Sequence, residues 1–138
     1  MNIIKNIFNF RASKTGIFFI VEDNEAYAKT LESFLKVNFP EAKEIKIFPV
    51  GETCLPELHK NPDVIIMDYF LDGKYYNAET GLEIIRQIKE ELPEMNIILL
   101  SSNDSPNIYT IAVENYNCNF IKKDEKAFEI IYDLINQI

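Results

Sequence analysis

Tryptophan is absent from this chain of 138 residues, histidine occurs once, cysteine twice and glycine four times. Cys54 and Cys118 stand far apart and show no metal-ligand spacing, which excludes a cysteine-built metal site and reads as a reduced, cytoplasmic pair. Basic charge is scarce: 14 Lys and Arg against 22 Asp and Glu leave a formal charge of −8, the opposite of the concentrated basic patch that nucleic acid requires. No apolar run approaches the ~20 residues needed to span a bilayer. Internal repeats, low-complexity tracts and linkers are missing too, so one domain is expected, with no second domain after it.

An apolar fraction of 47% is ample for one buried core at this length. The first residues stand apart from the rest. They carry Lys5, Arg11 and Lys14 and no acid, with Ile3, Ile4, Ile7, Phe8 and Phe10 interspersed. Asn2, Lys5, Asn6 and Asn9 interrupt the apolar region that a secretory signal needs. Residues 3, 4, 7 and 8 would share one helical face, but the expectation is a loosely docked extension over 1–15 and a folded domain over 16–138.

Four short apolar runs each end on polar residues of a particular kind. Ile17–Val21 ends on Glu22 and Asp23, Val64–Met67 on Asp68, Ile97–Leu100 on Ser101 and Ser102, and Phe120-Ile121 on Lys122 and Lys123. Runs of this length read as buried parallel strands. Ile45 and Ile47 mark a fifth, shorter strand. Helical patterns alternate with them: Tyr27, Leu31, Phe34 and Leu35, then a short helix near Thr53 to Lys60 limited by Pro56, and then Leu82, Ile85, Ile88 and Leu92. Asp104-Ser105-Pro106 opens a fourth helix with a cap before a proline, and Phe128, Ile131, Ile135 and Ile138 give the last its buried stripe. The alternation predicts an α/β doubly wound fold around a five-stranded parallel sheet, with helices on both faces. Ligands of such sheets bind outside the carboxyl ends of the strands, where this chain would collect carboxylates, a hydroxyl and an ammonium group.

Each residue alone has a plain explanation. Glu22 and Asp23 would serve as caps for the first helix, Asp68 as a turn residue, Ser101 and Ser102 as loop residues, and Lys122 and Lys123 as a solvated pair. Independent surface residues have no reason to gather at four strand ends of one sheet edge, and that argues for a site.

The arrangement from about Gly16 to Ile138 resembles the receiver domain of two-component response regulators. The residues carrying the resemblance are Val21-Glu22-Asp23-Asn24, Pro62 through Asp68, Gly81-Leu82-Glu83, Leu100-Ser101 and Phe120 through Asp124. The resemblance implies a flavodoxin-like strand order 2-1-3-4-5 and a stand-alone, non-enzymatic switch. Asp68 would be phosphorylated by a sensor histidine kinase or a phosphotransfer protein, and the signal would leave through the surface of the fourth helix, fifth strand and fifth helix. A carboxylate can attack phosphorus to form an acyl phosphate. Glu22, Asp23 and Asp68 offer hard oxygens for Mg²⁺ or Mn²⁺, which offsets the anionic repulsion of that step. The resemblance adds the backbone carbonyl of Phe70 as a further ligand. Lys123 would pair with a phosphoryl oxygen, Ser101 would donate to another, and Phe120 aligns with the aromatic switch position. Phe70 offers nothing to orient a hydrolytic water, whereas the Asn103 amide does, so the two would modulate hydrolysis in opposite senses. His59, the single histidine, lacks the helical-bundle setting of a relay histidine.

The chain departs from the family pattern in places. Asp72 replaces a usual proline, the loop from 72 to 80 is long and carries Tyr75, Tyr76 and Asn77, Ser101 replaces a commoner threonine, and Asp124 a commoner proline. The long loop keeps open a phosphorylation-independent interaction module that shares the fold. Asp68, Asp72, Gly73 and Glu79 also match four positions of an EF-hand loop, but Phe70 stands where a ligand belongs and a strand precedes where that motif needs a helix. A haloacid-dehalogenase-type phosphatase would likewise need an acid where Phe70 stands.

Overall fold

In the computed structural model of the chain, the structure describes residues 14–69, 80–102 and 106–138. The extension over residues 1–13, most of the long loop with Phe70, Tyr75 and Tyr76, and the segment Asn103-Asp104-Ser105 with its expected cap lie outside the described residues.

Strands β1 (Ile17–Val21), β2 (Glu44–Phe48), β3 (Val64–Asp68), β4 (Ile97–Ser101) and β5 (Asn119–Lys122) form one parallel sheet in the order β2-β1-β3-β4-β5. Between them run α1 (Glu25–Asn38), the 3₁₀ helix α2 (Gly51–Lys60), α3 (Gly81–Glu91) and α4 (Pro106–Tyr109), the last continuing as a π-helical stretch over Thr110–Asn115; α5 (Ala127–Asn136) follows β5. The fold is therefore the expected doubly wound α/β sheet. Its strand order reverses beside β1, which leaves a crevice at the carboxyl ends of β1 and β3.

The sheet divides the core into two layers because successive side chains point to opposite faces. Phe19, Val21, Ile65, Met67, Ile97 and Leu99 face α2, α3 and α4, where Cys54, Leu58, Ile84, Ile85, Ile88, Ile108 and Ala112 are buried. Phe18, Ile20, Val64, Ile66, Ile98, Leu100 and Ile121 face α1 and α5, meeting Leu31, Leu35, Ile131 and Ile135. Each fully buried Ile or Leu contributes roughly 1.5–3 kcal/mol. Strands β3 and β4 are buried along their whole length, whereas β2 and β5 are edge strands in which only Phe48 and Ile121 are fully buried. The Phe120-Ile121 run is thus a half-covered edge, because among the described residues one side of β5 has no neighbouring strand.

Three local expectations change in the structure. Helix α2 starts at Gly51 and carries Pro56 in its interior, since burial of Cys54 and Leu58 against the core keeps the segment wound past the missing donor. The cap of α1 is Asn24, whose side-chain oxygen accepts from Tyr27 N at 2.9 Å, which leaves the carboxylates of Glu22 and Asp23 for other partners. The buried stripe of α5 is Ala127, Ile131 and Ile135 with Phe128 packed beside it. Ile138 falls beyond the helix end and is exposed.

Candidate functional site

Strand register gathers the polar residues. Val21 pairs with Met67, so Glu22 and Asp68 are the next residues along adjacent strands. Asp68 in turn pairs with Leu100, and Ser101 with Lys122, which brings Lys123 to the same edge. One ligand oxygen each from Glu22, Asp23 and Asp68 lies within 4.8 Å of the others. Lys123 Nζ donates to Glu22 Oε1 at 2.6 Å and to Asp68 Oδ1 at 3.5 Å. The second Glu22 oxygen accepts from Asn24 N at 3.2 Å. Glu22 is 3% exposed, Asp68 6% and Ser101 fully buried, so these polar groups sit in the protein rather than on it.

Such burial changes the acid strength of Asp68. Desolvation comes first and the neighbouring Glu22 charge second; Lys123 opposes both, and the carboxyl is pushed up to about 7. The ammonium stands between two carboxylates and over an aromatic face, with Nζ 4.2 Å from the Tyr27 ring centroid. Burial, followed by the charges of Glu22, Asp68 and Asp124, raises the Tyr27 hydroxyl to about 12. A cleft of about 150 Å³ lies beside these acids, lined by Glu22, Asp23, Glu25, Lys29 and Pro49 among others.

The C-terminal end of β3 leaves no room for a side chain at the start of α3. Gly81 N donates to Tyr69 O at 2.8 Å, and a Cβ on Gly81 would stand 2.5 Å from the Asp68 carbonyl oxygen. Thr80 caps α3 by accepting from Glu83 N. The glycine anticipated as part of a motif is required by this close approach to the backbone of the site.

Of the expected site residues, Glu22, Asp23, Asp68 and Lys123 converge. Ser101 ends the adjacent strand, with its carbonyl accepting from Lys123 N at 2.9 Å. Phe120 stands elsewhere on that edge, its ring edge-on to Tyr109 of α4 at 5.7 Å. Phe70 and Asn103 lie outside the described residues. Tyr27 was legible only as part of a helical stripe; its approach to Lys123 joins α1 to the end of β5, and no local pattern signals that pairing.

Comparison with known proteins agrees with this fold. The family model described as the response regulator receiver domain matches residues 18–134. A curated relative, a cyclic di-GMP phosphodiesterase of Thermotoga maritima, is 30% identical over 107 residues; the match covers 75% of this chain and 26% of the relative, so the chain spans about a quarter of that protein. Among solved structures, the BeF3-activated receiver domain of DrrB, a Thermotoga maritima response regulator, superposes with a TM-score of 0.70 at 23% identity, covering 88% of this chain and 94% of that one. The receiver domain of a DNA-binding response regulator from Colwellia psychrerythraea gives 0.73 at 23% identity, covering 88% and 95%. At that identity the two structures speak to the fold. Among the described residues, no helix is long and apolar enough to cross a membrane.

Proposed function

The chain belongs to the response regulator receiver domain family, and on that premise we propose that it is a phosphoacceptor switch phosphorylated on Asp68. The observation that carries this reading is the buried Asp68 carboxylate at the end of the central strand, beside an ammonium and within 4.8 Å of two further carboxylates. A structural carboxylate has no need of two like charges beside it.

In the reaction, an Asp68 carboxylate oxygen attacks the phosphorus of a phosphohistidine or of a small donor such as acetyl phosphate. An O–P bond forms, the bond to the imidazole nitrogen or acetate oxygen breaks, and its electron pair leaves with that group. The three clustered oxygen donors fit Mg²⁺ or Mn²⁺. A bound divalent ion supplies positive charge against the repulsion between the carboxylates and the incoming phosphoryl oxygens. Lys123, already 3.5 Å from Asp68, pairs with one phosphoryl oxygen, and the Ser101 hydroxyl donates to another. The family resemblance would add the Phe70 carbonyl as a further ligand, a residue that lies outside the described ones. Deprotonation of Asp68 precedes attack, and the Lys123 ammonium favours the anion that burial disfavours.

Phosphorylation adds about −2 charge and draws Ser101 toward the phosphoryl group. Phe120, packed on Tyr109, transmits the change to the surface of α4, β5 and α5. This is a population shift in a two-state element. The partners are a sensor histidine kinase or phosphotransfer protein and a downstream protein, in the cytoplasm, with no further catalysis beyond slow autodephosphorylation. Phe70 would leave the acyl phosphate long-lived, and Asn103 would shorten its life: Phe70→Asn decays faster than the parent and Asn103→Ala more slowly.

The test is intact mass after incubation with acetyl phosphate and Mg²⁺. A gain of one phosphoryl group that vanishes in Asp68→Asn and in EDTA is expected. Absence of label in the wild type, or its persistence in Asp68→Asn, overturns the reading and favours a phosphorylation-independent module.

A further inference from the structure

We propose that Tyr27 is a positioning residue that holds the Lys123 ammonium at the acidic site through its aromatic face, an inference that rests on the phosphoacceptor reading. Lysine carries its charge on a flexible four-carbon stem, so its place must be fixed by what surrounds it. Among the described residues, three groups do so: Glu22 at 2.6 Å, Asp68 at 3.5 Å and the Tyr27 ring, with its centroid 4.2 Å from Nζ. A cation over an aromatic face within about 6 Å is attracted by the ring quadrupole, more strongly when the pair is desolvated. Asp68 changes role when a phosphoryl group arrives, because it becomes an acyl phosphate and Lys123 must exchange one anion for another. The ring is the uncharged neighbour whose attraction does not change with that exchange.

The ring is itself held from two sides. The Asn24 cap bonds the backbone N–H of Tyr27 at 2.9 Å, fixing the first turn of α1. Phe128 of α5 meets the ring edge-on, with centroids 5.7 Å apart and planes at 71°, and Phe128 packs in turn on Phe34 at 5.1 Å. The hydroxyl, by contrast, is buried and finds no hydrogen-bond partner among the described residues. The contribution of Tyr27 therefore lies in its π-face and not in its oxygen. Removing that oxygen while keeping the ring should cost nothing and relieves an unsatisfied buried donor.

The experiment measures the rate of labelling by phosphoramidate in Mg²⁺ for the wild type, Tyr27→Leu and Tyr27→Phe, each in the Lys123 and Lys123→Met backgrounds. Tyr27→Leu is expected to slow labelling about five- to thirtyfold, the range given by a partly desolvated cation–π contact. Tyr27→Phe restores the rate. In the Lys123→Met background, Tyr27→Leu has no further effect, because the two changes remove one interaction. Proton NMR gives a second readout without phosphodonor: the Lys123 ε-methylene resonances carry an aromatic ring-current shift that is lost in Tyr27→Leu and kept in Tyr27→Phe. Equal slowing by Leu in both backgrounds, a Phe variant as slow as Leu, or unchanged ε-methylene shifts in Tyr27→Leu would overturn the inference. A labelled wild type with any of these results leaves the phosphoacceptor reading standing, and an unlabelled wild type removes both.

Discussion

Asp63 and Asp68 stand at opposite ends of the same central strand, yet the fold treats them in opposite ways. Asp63, just before β3, accepts from Thr15 N at 2.7 Å, Gly16 N at 2.8 Å and Thr15 Oγ1 at 3.1 Å. Its carboxylate is met by donors and ties the start of β1 to β3. Asp68, at the other end, is met by one ammonium at 3.5 Å and two further carboxylates. A cavity of about 210 Å³, larger than the 150 Å³ cleft beside Glu22 and Asp23, lies at the Asp63 end, lined by Lys14, Phe18, Phe39, Asp63 and Ile135 among others. Cavity size therefore does not mark the chemistry; unfavourable charge density does. A carboxylate surrounded by donors is a structural tie, and one crowded by other carboxylates is stored electrostatic work that a cation or a phosphoryl transfer can release.

The sharpest way to break the comparison is to neutralise each acid. Asp68→Asn should abolish phosphoryl labelling while raising the melting temperature of the metal-free protein. Asp63→Asn should keep labelling and lower the melting temperature, through loss of about 1–3 kcal/mol from its donors. Labelling by mass and thermal denaturation of both variants check this, and equal behaviour of the two would erase the distinction.

A second, smaller effect comes from Asp23. Asp23→Asn should raise the metal-free melting temperature by relieving like-charge repulsion and reduce the stabilisation gained on adding Mg²⁺. Titrating Mg²⁺ against melting temperature reads both, and an unchanged Mg²⁺ response would remove Asp23 from the ligand set.

Close packing behind the site gives a third. Gly81→Ala places a Cβ 2.5 Å from the Asp68 carbonyl oxygen, so the backbone there must shift. We expect a loss of about 1–3 kcal/mol, typical of overpacking, together with slower labelling. A variant that matches the wild type in both measurements would show that the start of α3 yields freely.

A fourth effect is a pH slope. The Asp68 carboxyl titrates at about 7 in the folded chain against 3.8 ordinarily. Below pH 3.8 the group is protonated in both states, and its stabilising contribution is fully present. Between 3.8 and about 7 the unfolded chain releases a proton that the folded chain keeps, so metal-free stability falls as pH rises through that window. Melting curves in EDTA should show a decline of several degrees that Asp68→Asn flattens and Asp63→Asn leaves in place.

Much of this was open to reading in the chain itself. The continuous apolar runs identified β1, β3 and β4, and their polar terminators marked the edge where Glu22, Asp68, Ser101 and Lys123 gather. Helical boundaries were less legible. Pro56 suggested a shorter second helix than the one that forms, and Ile138 continued a stripe that the end of α5 cuts off. In each case packing beyond the local window decided the matter.

The sequence by itself determined which faces are apolar and in what order they come, because hydrophobic periodicity is a local property of the chain. It thereby determined the α/β layering and the residue types at each strand end. Tertiary structure alone decided the rest: that Asn24 and not Glu22 caps α1, that Gly81 presses on the backbone of Asp68, and that the Tyr27 ring covers Lys123. It also decided that the Asp68 carboxyl rises to about 7. These depend on distances between segments remote in sequence and on how far water is excluded between them, and electrostatic energy varies steeply with both.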